Sequence, residues 1–107
     1  MIKNLPTLES ISTLGYTKLF NLRKSLKSKL SIRERSLKDE ILNNEKISAE
    51  LNSPNSTLTL GDLAVSESQI MKIKSEIMVI NIYLGEINKY LEPMLKELHS
   101  VGQPGNE

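Results

Sequence analysis

The chain has 107 residues, a net charge of +1 and no cysteine. One domain is the natural reading of that length, and the missing cysteine excludes a disulfide framework and a thiolate metal site. Aromatics are confined to Tyr16, Phe20, Tyr83 and Tyr90, and the apolar content is Leu and Ile with four Met, a mix suited to helix–helix packing rather than to a sheet sandwich.

The first segment is Leu5-Pro-Thr-Leu-Glu-Ser-Ile-Ser-Thr-Leu14. Pro6 or Thr7 can open a short helix there, and Gly15 offers a bend. A long helix is expected from Tyr16 to Leu51. Leu19, Leu22, Leu26, Leu30, Leu37 and Ile41 form its narrow apolar stripe, Arg33 interrupts it, and Leu51 extends it. This helix is also basic. Residues 18–38 hold eight basic side chains against the one acid Glu34, a net of +7, while the rest of the chain nets −6. Arg23, Lys24, Lys27, Arg35 and Lys38 fall along one flank of the stripe.

A break follows at Asn52-Ser-Pro-Asn-Ser-Thr-Leu-Thr-Leu-Gly61, where Pro54 sits among Asn and Ser. Ten residues suffice to reverse the chain. Asn55-Ser56-Thr57 also fits the glycosylation acceptor pattern, but turn chemistry accounts for it.

The second helix has the clearest pattern. Leu63, Ile70, Ile73, Ile77, Ile80, Leu84, Ile87, Leu91, Met94, Leu98 and Val101 follow one alternating three-four spacing, broken only by Ser66. That is a coiled-coil seam. Met71, Met78, Val79, Ile82 and Tyr83 add apolar surface beside it. Thr59-Leu-Gly-Asp62 and Ser66-Glu-Ser-Gln69 both fit a side-chain cap with an acid or amide three residues later, and the favoured start is Gly61 or Asp62. Pro93 should kink the last turns. Gly102, Pro104 and Gly105 mark the end, leaving 102–107 as a disordered tail.

The expected fold is therefore all-α: a long antiparallel helical hairpin, coiled-coil-like, with a short N-terminal helix. Its segments are 1–15, 16–51, the turn 52–61, 62–101 and the tail 102–107. At about 1.5 Å per residue each arm is about 55 Å long. A two-helix hairpin buries one contact line, so the extra Ile, Met and Tyr would lie exposed, which soluble monomers avoid. The first fourteen residues are too short to cover such a seam. A protein partner or a homo-oligomer is the expected completion, contacting Ile70, Met71, Ile77, Met78, Ile82, Tyr83, Leu84 and Tyr90.

Site chemistry is sparse. His99 is the single histidine, so no metal is expected, and no cofactor motif appears. Asp39-Glu40 and Glu92 with Glu97 read as solvated helix faces. There is no phosphate-cradling glycine loop and no nucleophile elbow, so no enzyme is expected. The basic flank has two readings. One is contact with an anionic partner, an acidic protein ahead of nucleic acid or a membrane surface. The other is charge pairing within the hairpin: with the turn centred near residue 57, Lys38 lies beside Glu76, Lys27 beside Glu86 and Arg23 near Glu92. The second is favoured. Residues Ser10 to Thr17 suggest the turn of a helix-turn-helix, but Asn21 stands where a buried aliphatic is needed. The longest apolar run, Ile77 to Ile80, cannot span a bilayer. No signal peptide is evident, so a cytoplasmic location is expected, with signal-less export left open.

Asp62-Leu-Ala-Val-Ser-Glu-Ser-Gln69, followed by a helix ending Leu91-Glu-Pro-Met-Leu-Lys-Glu-Leu98, resembles the C-terminal part of small inner-rod and needle subunits of type III secretion systems. Those chains are similar in size and in their Pro/Asn turn before a terminal helix, and helical-hairpin secretion chaperones share the general layout. The resemblance covers under half of the chain, and this N-terminal half is more basic and more regularly helical than a rod subunit. It implies a small structural subunit or chaperone of a secretion apparatus. From the residues themselves the expectation is a non-enzymatic subunit, adaptor or chaperone that binds a partner helix through its Ile/Leu/Met surface, with nucleic-acid binding through 18–38 as the alternative.

Overall fold

The computed structural model describes residues 5–101, with side chains for 5–98; the expected tail at 102–107 and the side chain of His99 lie outside the described residues. Two long helices pack as a hairpin, α1 at Tyr16–Leu51 and α2 at Leu60–Val101, preceded by a short 3₁₀ helix at Leu8–Thr13. No strand occurs among the described residues.

The 3₁₀ helix is tight for a chemical reason. The hydroxyls of Ser10, Ser12 and Thr13 donate to the carbonyls of Thr7, Glu9 and Ser10, at 2.9, 3.2 and 2.6 Å. Hydroxyl back-bonding of this kind competes with regular α-helix. Apolar residues at 5, 8, 11 and 14 match the three-residue period of such a helix. Ile11 is fully buried.

At its C-terminal end α1 is closed by bonds from the amides of Asn52 and Ser53 to the carbonyls of Ala49 and Glu50. The Asn52 side chain donates to the Ser48 carbonyl at 3.2 Å. Pro54 then prevents the helix from resuming. The start of α2 is a reciprocal cap. The Asp62 amide donates to Thr59 Oγ1 at 3.3 Å, and the Thr59 amide donates to Asp62 Oδ2 at 2.8 Å. The Thr59 amide gains a partner it would otherwise lack, and the Asp62 amide is shared between Thr59 Oγ1 and the Thr59 carbonyl, the latter at 3.0 Å. Thr59→Ala should cost about 1 kcal/mol, read as a lower urea midpoint by circular dichroism; an unchanged midpoint would show that the cap contributes nothing. Beyond it, α2 runs through Pro93.

The chain divides into two units: a terminal unit, Met1–Ser28 with Ile80–Glu107, and a turn unit, Lys29–Val79. The terminal unit has a dry core. Ile11, Leu19, Leu26, Ile80, Leu84, Ile87 and Leu91 are all buried there. In the turn unit the buried residues are instead Ser66 and Glu76, flanked by half-buried Leu30, Leu37, Ile47, Leu63, Ile70, Ile73 and Ile77.

Each polar interruption of an apolar stripe finds a polar partner on the other helix. Arg33, the break in α1, makes an ion pair with Glu76 at 3.4 Å. Ser66, the break in α2, accepts a hydrogen bond from Asn44 at 3.3 Å. The stripe of α1 therefore continues from Leu37 through Glu40 and Asn44, both half-buried. Ile41, expected on that stripe, is 37% exposed. The reason is periodicity: the three-four repeat reaches 40 and 44, and Asn44 finds the Ser66 hydroxyl opposite it.

Candidate protein-binding face

The expected contact residues separate into three groups. Met71, Met78 and Ile82 are exposed, by 70%, 59% and 49%. Ile70, Ile77, Tyr83 and Tyr90 are half-buried, and the Lys89 ammonium sits over the Tyr90 ring at 5.5 Å. Leu84 is buried. It belongs to the hairpin's own interior and offers nothing to a partner, because the seam spacing that runs Ile80, Leu84, Ile87 turns it inward.

In the turn unit Met71 and Met78 are seven residues apart, two turns of α2, and so share a helix face; Ala64 keeps the same interval and is also exposed. In the terminal unit Ile82 and Gly85 are exposed. Nothing lies within 4 Å of where a Cβ on Gly85 would stand. The face of Met71 and Met78 points away from the seam, so side-chain bulk there is unopposed within the helix pair. Methionine supplies flexible, polarizable surface.

The basic flank separates as well. Arg23 is half-buried and fully engaged: it donates to Asn88 Oδ1 at 3.2 Å, pairs with Glu92 at 3.5 Å and lies over the Phe20 ring at 5.8 Å. The expected Arg23–Glu92 pair thus forms. The other two do not. Glu76 takes Arg33 instead of Lys38, and Glu86 takes Lys89 of its own helix at 3.7 Å instead of Lys27. In the turn unit, the Arg33–Glu76 and Asn44–Ser66 contacts centre the turn near residue 55, not 57, and carry Lys38 past Glu76. Lys24, Lys27, Arg35 and Lys38 are exposed and belong to no salt bridge among the described residues.

No family model, no curated protein and no solved structure matches the chain. Among the described residues no helix is long and apolar enough to cross a membrane, and no cluster of metal-ligating side chains occurs. A surface groove of about 440 Å³ in the turn unit is lined by Glu40, Lys46, Glu50 and Asp62 with Ile47 and Val65. It is open to solvent, and Ser66, whose hydroxyl accepts from Asn44, lines it too.

Proposed function

We propose that this protein is a non-enzymatic interaction module, a subunit, adaptor or chaperone, which binds an amphipathic helix of another protein along the outward face of α2. The observation that carries this reading is the exposure of Met71 and Met78 on one face of the turn unit's part of α2, with Ile82 exposed on the terminal unit's part. A helix-in-groove partner reads such i, i+7 anchors. The nearby half-buried Tyr83 offers an aromatic rim, a residue type enriched at interface hot spots.

The test uses Met78→Lys with Ile82→Lys. Both sites are exposed, so helicity by circular dichroism should be unchanged. A photo-reactive residue at position 71 should cross-link to a helical segment of a host protein, and the lysine pair should abolish that product. Cross-linking at equal yield in the lysine variant would sink the proposal.

A second reading is favoured by one observation, the four exposed basic residues Lys24, Lys27, Arg35 and Lys38. It is nucleic-acid binding, with affinity falling steeply as salt rises. The absence of a gel shift at low salt would dispose of it.

A further inference from the structure

The outward face of α1 carries a repeat of its own. In the turn unit, Ile32, Arg35, Asp39 and Leu42 are spaced three, four and three residues apart. That spacing keeps them on one helix face. All four are exposed, Ile32 by 52% and Leu42 by 50%. The α1 residues facing the seam over the same stretch are a different set: Arg33, Leu37 and Glu40. Arg35 and Asp39 are four residues apart, yet neither belongs to a salt bridge among the described residues.

These residues are symmetric about position 37. When α1 is laid antiparallel on a second α1, Ile32 meets Leu42 of the second copy and Arg35 meets Asp39 of the second copy. The two-fold axis repeats each contact, so residue i meets j and j meets i, as an isologous interface requires. Antiparallel coiled coils also need each core position of one type to face the other type across the pair. Both contacts obey that rule. A parallel alignment would instead stack Arg35 on Arg35 and Asp39 on Asp39, like charges in contact, which is repulsive.

We infer that the chain forms a two-fold antiparallel dimer through the outward face of α1, with Ile32, Arg35, Asp39 and Leu42 of each copy as its centre. The occupant is a second copy because the charges and the apolar residues complement their own reversed pattern. The contact uses a different helix from the face proposed for a partner protein, so the two can fail separately. Ten residues of helix span about 15 Å. Such a contact is small beside the roughly 1,200–2,000 Å² of a stable interface, so the dimer is a weak one, in exchange with monomer.

The chain has no cysteine, so single cysteines report cleanly. Ile32→Cys and Leu42→Cys are prepared separately, then mixed and treated with a short bifunctional maleimide. The mixture should give a covalent dimer at several times the yield of either protein alone. Arg35→Asp or Asp39→Arg, placed in both cysteine variants, should reduce that yield several-fold, and the two together should restore it. The partner-face variant Met78→Lys/Ile82→Lys should leave it unchanged. Self-linking of Ile32→Cys at the yield of the mixture would overturn the inference, and so would a charge swap that fails to restore linkage.

Discussion

Ile87→Ala is expected to lower stability by about 2–5 kcal/mol, because it removes a fully buried side chain from the dry part of the core. Small domains have only about 5–15 kcal/mol in total, so the variant should still fold but with a much lower urea midpoint. Two controls separate packing from helix propensity. Ile87→Val should cost only about 0.5–1.5 kcal/mol. Ile82→Ala, on the exposed face of the same helix, should stay within about 0.5 kcal/mol of the parent. Urea titration followed by circular dichroism gives all three values. Equal losses for Ile87→Ala and Ile82→Ala would mean that the described core is not where cohesion resides.

Arg33→Leu is expected to destabilise by about 1–3 kcal/mol, since it strands a charge. Glu76 is only 7% exposed and loses its partner. Glu76→Leu should cost less, because the Arg33 side chain is 37% exposed and its guanidinium can be hydrated as its stem stays packed. The double substitution Arg33→Leu/Glu76→Leu should be neutral or more stable than the parent, as replacing a buried ion pair by packed aliphatics often is. The double-mutant cycle therefore has a large coupling energy. Additive single effects would show that the 3.4 Å contact carries no energy.

The helical hairpin was legible in the sequence because α2 states its seam almost without interruption. Every seam position from Leu63 to Met94, Ser66 included, is buried or half-buried. The exposed Met71, Met78 and Ile82 were legible for the same reason, standing off that spacing. What escaped was polar. Glu40 and Asn44 occupy seam positions that hydropathy cannot reveal, and Ile41 beside them misdirected the stripe. The ion pairs escaped too, because a lysine or arginine reaches several carboxylates and the turn's centre is fixed by the contacts themselves. A two-residue shift of that centre gave Glu76 to Arg33. Leu84 was misplaced as a contact residue because seam and outward strip are both apolar. At the N-terminus, the three-residue interval of Leu5, Leu8, Ile11 and Leu14 is the signal of a 3₁₀ helix, but it does not tell the buried Ile11 from the exposed Leu8 on the same face.

The separation of dry core from polar pairs bears on how the chain finds its structure. Hairpins commonly close from the turn outward, where loop entropy is cheapest. In the turn unit Asn44 meets Ser66, 22 positions apart, and the aliphatics around them are half-buried. In the terminal unit the fully buried side chains come from segments far apart in sequence, and Arg23 reaches Asn88 across 65 positions. Closing that separation costs more entropy, although the cost grows only with the logarithm of its length. Helix formation by itself is fast, so the terminal unit's core is expected to form after the helices that build it.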